Sequence, residues 1–150
     1  MGIDVFVAAK TLGIECGWRV SNLKMQKILY IAHLKYMGKH KECLIKTPFE
    51  AWDYGPVQPA LYHKLKRFGA RNVRDVFFGE EPLTKGDEFD DEFDVLRRMS
   101  ELWSVKSGVL IAATHVGGGA WLRARNQGME IIPDNFIQEE YAQSVKDENS

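Results

Sequence analysis

The longest hydrophobic pattern in the chain runs from Leu23 to Met37 and has the period of an α-helix. Apolar residues at positions i, i+3, i+4, i+7 and i+11 form one face: Met25, Ile28, Leu29, Ala32 and Tyr36. Further apolar residues widen this face: Leu23, Tyr30, Ile31, Leu34 and Met37. An arc this wide predicts a central helix that other elements cover on more than one side. Ser21 is the expected N-cap, and Gly38 the expected end.

Shorter helical patterns lie on both sides of this segment. The apolar stretch from Ile3 to Leu12 predicts a helix that ends at Gly13. Pro59 fits the first turn of another helix, which ends at Gly69. Later helices are expected over about 87–103, about 105–115 and about 120–127, with Ser104 as the cap of the second. A last helix is expected from Pro133, followed by a polar tail that begins at Lys146 and is expected to fray. The acidic residues of 87–92 suit the positive end of a helix dipole.

One segment has a different period. Thr47 to Tyr54 alternates with period two and places Trp52 and Tyr54 on one face, which predicts a short extended segment ended by Gly55-Pro56. Residues 70–87 predict a loop that is anchored by Val76-Phe77-Phe78. The expected fold is therefore mainly α: a compact bundle of about six or seven helices around a central helix at about 23–37, with an extended segment near 47–54.

Length and composition narrow the class of protein. The chain has 150 residues, of which 45% are hydrophobic, and we expect a single domain over 1–150 with its core at about 3–142. There is no apolar run of about 20 residues to span a bilayer, and the N-terminus lacks the pattern of a signal peptide. Cys16 and Cys43 are read as reduced thiols, because they lie far apart and outside any metal-ligand spacing. These features favour a cytoplasmic protein without a metal or other cofactor.

The charges are distributed unevenly along the chain. Residues 1–75 contain 13 Lys and Arg against 6 Asp and Glu, and residues 76–150 contain 7 against 15. This asymmetry indicates either a basic surface for an anionic partner or attraction between the two halves of one fold. A nucleic-acid-binding regulator is the alternative function, with Lys24, Lys27 and Lys35 on one helix face and a second basic run over 64–74. No pair of helices has the spacing of a helix-turn-helix.

The residues that enzymes use for catalysis do not form a recognisable pattern. Gly117-Gly118-Gly119 lacks the Gly-Lys-Ser/Thr of a phosphate loop and is read as a hinge. Glu50 and Asp53 point to opposite faces of an extended segment, and Tyr30 with His33 is read as structural. We therefore expect a protein that is not an enzyme.

Four motifs, in order along about 3–142, resemble the Panacea domain, the antitoxin domain shared by SocA-like antitoxins and GepA-like phage-associated proteins. The motifs are the helix 22–32, the stretch 49–57 followed by Pro59 and Tyr62, Thr114-His115 with Trp121, and 133–137 with Tyr141. The Ala-Trp-x-Tyr-Gly-Pro-Val string at 51–57 is the most specific. The matching residues with an expected structural role are Leu23, Gln26, Lys27, Leu29, Tyr30, His115 and Trp121.

The chain departs from the family pattern at a few positions. Met25 replaces the usual leucine, Asp53 stands where the family often has lysine, and three glycines precede Trp121. The resemblance implies a helical, non-catalytic bacterial or phage protein that neutralises a cognate toxin by direct protein–protein contact. It also implies that some members deliver the toxin to a protease such as ClpXP. The identity of the toxin does not transfer, because family members pair with unrelated toxins.

The same stretch predicts where a partner binds. The expected surface consists of Trp52, Asp53, Tyr54, Gly55, Pro56 and Pro59, flanked by Lys64 and Arg67. Tyr and Trp are frequent in binding hot spots, and Gly55-Pro56 is expected to fix a rigid corner. Asp53 and the basic residues are expected to act on partner selectivity and association rate. The other interpretation is that Trp52 and Tyr54 pack on the central helix.

Overall fold

The computed structural model describes residues 2–149 and is mainly helical, as predicted. The helices are α1 (Val5–Cys16), α2 (Asn22–His40), α3 (Pro59–Leu65), α4 (Asp90–Ser100), α5 (Ser107–Thr114), α6 (Ala120–Asn126) and α7 (Asp134–Glu148). Short 3₁₀ turns follow α3 at Lys66–Phe68 and α4 at Glu101–Ser104. Strands β1 (Glu50–Trp52) and β2 (Gly55–Val57) form one antiparallel hairpin.

Helix α2 is the centre of the fold, which confirms the interpretation of its wide apolar arc. Met25, Ile28, Leu29 and Tyr30 have no exposed surface, and α1, α3, α4, α5, α7 and β2 all pack on this helix. The predicted cap is also confirmed, since the Ser21 hydroxyl accepts the main-chain N–H of Lys24 at 3.2 Å. Every other element is therefore positioned by its contact with α2 or with a neighbour of α2.

The expected ends of α1 and α2 are wrong for a shared reason. Gly13 and Gly38 lie inside their helices, which continue to Cys16 and His40. A Cβ at Gly13 would overlap the ring of Trp18, and one at Gly38 would overlap the ring of Tyr141. Both glycines therefore make room for an aromatic ring, and neither ends a helix.

The extended segment is a hairpin with a two-residue tip. Trp52 pairs with Gly55, and Ala51 with Pro56, so Gly55-Pro56 begins the second strand and does not form the expected corner after a single strand. Main-chain hydrogen bonds from 130–132 cover the outer edge of β1: Ala51 N–H donates to the Glu130 carbonyl at 2.8 Å, and Ile132 N–H to the Phe49 carbonyl at 2.9 Å. A segment near the end of the chain thus completes the hairpin.

Several boundaries in the second half differ from the prediction. Helix α5 begins at Ser107 after Lys106, so Ser104 does not cap it. Helix α7 continues to Glu148, beyond the expected start of a polar tail. Residues 70–87 form the predicted loop, and buried Val73, Val76, Phe77 and Leu83 anchor it. Phe78, which was expected among the anchors, is 83% exposed, so that part of the prediction is wrong.

We predict that Gly38→Ala lowers the free energy of unfolding by about 1–3 kcal/mol, because the new methyl group must displace the Tyr141 ring. Gly108→Ala is the matched control: Gly108 is also helical, but no heavy atom would lie within 4 Å of its Cβ. The control should leave stability unchanged or raise it by up to about 1 kcal/mol. Chemical denaturation measures both changes, and equal effects would exclude Tyr141 as the cause.

Candidate functional site

The exposed end of the hairpin is the best-defined feature of the predicted binding surface. Asp53 and Tyr54 form its tip, and Tyr54 is 61% exposed. Gly55 has a φ of 113°, and a Cβ at this position would overlap Lys27 Nζ and approach His115 Nε2. Glycine is required here both by the backbone conformation and by the close approach of α2.

Side chains from three helical segments donate hydrogen bonds to the carbonyl groups at this end of the hairpin. Lys27 Nζ donates to the Tyr54 carbonyl, and His115 Nε2 lies 3.2 Å from the same oxygen. Trp121 Nε1 donates to the Trp52 carbonyl at 2.7 Å. Arg125 Nη1 donates to the Ala51 carbonyl at 3.2 Å and also forms an ion pair with Asp53. We call these four side chains, Lys27, His115, Trp121 and Arg125, the hairpin clamp.

The clamp contains an unusual buried cation. Lys27 is 1% exposed, and burial lowers its pKa from 10.5 to about 8. No carboxylate of residues 2–149 lies within ion-pair distance of it. Burial and the nearby Lys27 charge both lower the pKa of His115. At neutral pH the Tyr54 carbonyl thus faces a charged ammonium group and a neutral imidazole ring.

Helix α6, which carries Trp121 and Arg125, is held in place by α7. Glu140 Oε1 accepts the main-chain N–H of Ala120 at 2.8 Å and the hydroxyl of Tyr30 at 3.4 Å. Burial raises the pKa of Glu140. The Trp121 ring then stacks on His115 with a centroid separation of 4.1 Å. These contacts link the clamp to α2, α5 and α7.

A row of amide groups holds α2 against the start of α3. Gln26 Oε1 accepts the main-chain N–H of Gln58 at 2.9 Å, and Gln26 Nε2 donates to Asn22 Oδ1 at 3.3 Å. Asn22 Nδ2 in turn donates to the Tyr62 carbonyl at 3.1 Å. Because each of these buried amides has a partner, the orientation of the hairpin relative to α2 and α3 is fixed.

A groove lies between this row and the hairpin tip, and we call it the tip groove. It has a volume of about 300 Å³ and is lined by Asn22, Leu23, Gln26, Lys27, Tyr54, Val57, Tyr62, Lys66 and Gly69. Leu23 is 40% exposed and Tyr54 is 61% exposed. The groove therefore presents apolar surface beside the tip.

The residues predicted to bind a partner differ in how exposed they are. Asp53 and Tyr54 are exposed, whereas Gly55 and Pro56 are buried and Pro59 is half-buried. Trp52 is half-buried and packs edge-on against Tyr62 of α3, with 5.1 Å between the ring centroids.

The two flanking basic residues lie on other parts of the surface. Lys64 lies over the Phe6 ring, and Arg67 over the Phe68 ring. Among residues 2–149, neither of them forms an ion pair with Asp53 at the tip, which pairs with Arg125. The basic side chains that do border the tip groove are Lys66 and the buried Lys27.

Two residues of the site were not found from the sequence. Arg125 donates to a main-chain carbonyl 74 residues away. The main-chain N–H of Gln58 donates to the side-chain amide of Gln26, and no local spacing indicates either partner. Lys27, His115 and Trp121 were identified through the family motifs, but their shared contact with the hairpin was not anticipated.

The basic face proposed on α2 for nucleic acid does not form. Lys27 is buried in the clamp, and Lys24 Nζ donates to the Trp103 carbonyl at 2.7 Å. Of the three lysines, Lys35 alone is exposed. The ion pairs also do not follow the charge asymmetry of the two halves: Asp53 pairs with Arg125, and Lys10 pairs with Asp75.

The residue pairs considered for catalysis have structural partners. Glu50 accepts a hydrogen bond from Trp52 Nε1 at 2.9 Å, and His33 Nδ1 accepts the N–H of Ile45 at 3.2 Å. Within residues 2–149, no group of three or more His, Cys, Asp or Glu side chains is arranged to hold a metal ion. In the same range, no helix has the length and apolar character that crossing a membrane requires.

Comparison with known proteins identifies a family and a relative. Residues 25–121 match the family model described as the antitoxin SocA-like Panacea domain. Antitoxin SocA of Caulobacter vibrioides (strain NA1000 / CB15N) is 28% identical over 109 residues, which cover 68% of this chain and 58% of that protein. No solved structure matches. The matched segment 25–121 includes the hairpin and three of the four clamp residues.

We predict that the buried charge of Lys27 makes stability depend on pH. Its pKa is about 8 in the folded chain against 10.5 ordinarily, so between these values the unfolded chain binds more protons and stability rises with pH. The free energy of unfolding should increase by about 2 kcal/mol between pH 7 and pH 9.5 on account of this group.

Lys27→Met should remove this increase, and Lys35→Met, exposed on the same helix, is the control. Chemical denaturation across this pH range compares the wild type with each variant, so contributions from other titrating groups cancel. If Lys27→Met retains the wild-type slope, the ammonium is not buried as described.

Proposed function

Because this chain belongs to the antitoxin SocA-like, Panacea-domain family, we propose that it neutralises a cognate toxin by direct protein–protein contact. It acts by binding, without catalysis or a cofactor. The toxin contacts the hairpin tip at Asp53 and Tyr54 and the surface that continues from Tyr54 into the tip groove.

The observation that carries this proposal is the fixed conformation of an exposed tip. Its carbonyl groups are bound by donors from α2, α5–α6 and α6, while the Tyr54 side chain projects into solvent. A segment that is ordered before binding loses less conformational entropy when it meets a partner. Tyrosine also supplies a large contact area with few rotatable bonds.

The contributions of the predicted residues differ within this proposal. Tyr54 supplies contact area. Asp53 acts on selectivity through its exposed carboxylate, whose ion pair with Arg125 adds little to the stability of the fold. Trp52, Gly55 and Pro56 shape the hairpin from within. Lys64 and Arg67 lie outside the proposed contact and affect the association rate only through long-range charge.

The pairing is proposed to take place in the cytoplasm. The family resemblance further suggests delivery of bound toxin to a protease such as ClpXP. The two roles differ in their effect on toxin abundance: simple neutralisation leaves the amount of toxin in the cell unchanged, whereas delivery lowers it in a protease-dependent manner. Quantitative immunoblotting of tagged toxin, with and without the protease, separates them.

We predict that the gene adjacent to this one encodes a protein that is toxic when expressed alone and harmless when co-expressed with this chain. Plating efficiency under separately inducible promoters measures both conditions. A neighbour that is harmless alone, or equally toxic in the presence of this chain, contradicts the proposal.

We predict that Tyr54→Ala weakens toxin binding at least about tenfold, because it removes an exposed aromatic from the centre of the contact. The melting temperature should stay within a few degrees, because the Tyr54 carbonyl remains available to the clamp. Phe78→Ala is the matched control, since Phe78 is 83% exposed on the loop 70–87. Calorimetric titration of both variants measures the effect. If Phe78→Ala weakens binding and Tyr54→Ala does not, the interface lies on that loop.

A further inference from the structure

The tip groove has apolar walls and two basic side chains. Leu23, Val57, Tyr54 and Tyr62 supply the walls, and Lys27 and Lys66 supply positive charge. None of the lining side chains that the structure describes is acidic. The charge of the groove is therefore of one sign.

The polar groups of the groove differ in how fully they are bound. The amides of Asn22 and Gln26 are occupied by each other, by the Tyr62 carbonyl and by the Gln58 N–H. Lys27, by contrast, donates one hydrogen bond, to the Tyr54 carbonyl, although an ammonium group has three N–H donors. The Lys27 ammonium group thus lacks a negatively charged partner and hydrogen-bond acceptors for its remaining N–H donors.

We propose that the tip groove is a binding site for a carboxylate side chain, Asp or Glu, that lies next to an apolar side chain on the cognate toxin. This inference rests on the proposed function and specifies the chemistry of the partner at the same surface. The apolar side chain lies between Leu23, Val57 and Tyr62, and the carboxylate faces Lys66 and the Lys27 end of the groove.

Charge complementarity supports this occupant over others. A carboxylate beside Lys27 supplies the counter-charge that the folded chain lacks, and its burial in an apolar groove strengthens the attraction. A basic segment would add a third positive charge to the site, and a neutral one would leave the ammonium donors unmet. The other side chains with ionisable groups beside Lys27 or in the groove are His115, Tyr54, Tyr62 and Lys66, and none of them is a carboxylate. The volume of about 300 Å³ suits one or two side chains, at the lower end of the range for ligand sites.

A small probe tests the chemistry of the groove without the toxin. The probe is 3-phenylpropanoate, with 3-phenylpropanamide as the uncharged match, titrated into the isotope-labelled chain while methyl signals are followed by NMR. We expect the carboxylate to shift the Leu23 and Val57 methyl signals and to bind at least about fivefold more tightly than the amide. Equal binding of the two compounds, or shifts confined to other regions, overturns the proposal.

Two lysines on adjacent turns provide the matched variants. Lys66 lines the groove, whereas Lys64 is exposed over the Phe6 ring. Lys66→Glu and Lys64→Glu change the net charge equally, so a long-range effect of charge is the same in both. We expect Lys66→Glu to abolish the probe shifts and Lys64→Glu to retain them. Equal losses overturn the assignment of a local site.

The toxin is then measured with the same variants. Lys66→Glu should weaken toxin binding at least about tenfold, and Lys64→Glu by less than about threefold. If the wild-type chain does not bind the neighbouring gene product, the proposed function fails, while the preference of the groove for carboxylates is still decided by the probe. If the wild type binds and both variants behave alike, the toxin does not use the groove and this inference is overturned.

Discussion

The conformation of the two-stranded hairpin depends on how its main-chain carbonyl groups are satisfied. A hairpin this short is marginal by itself, and its strands leave carbonyl groups without partners at the exposed end. The Lys27 ammonium reaches one of these groups past Gly55, where any larger residue would block it. Trp121 and Arg125 bind two others. These donors come from distant parts of the chain, so their contacts with the tip exist only where the helical bundle is assembled.

This dependence explains why the family motifs are separated in sequence but adjacent in space. Lys27 from the central helix, the hairpin itself, and His115 with Trp121 from the second half all meet at one point. Hydrogen bonds that involve a charged donor contribute about 1.5–3 kcal/mol, but Lys27 must first lose its hydration, and its lowered pKa reflects this. The ammonium group thus adds little to the stability of the fold, but it fixes the position of the hairpin tip relative to α2.

The sequence predicted the elements that depend on local patterns. The period of the central helix and the Ser21 cap are properties of neighbouring residues, and both are confirmed. Gly13 and Gly38 were misread as helix ends because a glycine that makes space for a distant ring has the same local appearance as one that ends a helix. Gly55-Pro56 was misread as a corner because the partner strand is very short. No sequence pattern indicated a role for Arg125, because its partner is a carbonyl group 74 residues away in the chain.

The hairpin clamp has a consequence for how such a domain can diverge. Its donors bind carbonyl oxygens, which every amino acid possesses, and make little use of the side chains at the tip. Substitutions at Asp53 and Tyr54 therefore change the chemistry that the tip displays while the path of its backbone is retained. The contacts that hold the backbone and the side chains that the tip displays are thus under separate constraints, so residues 53 and 54 can vary without loss of the hydrogen bonds to the carbonyl groups.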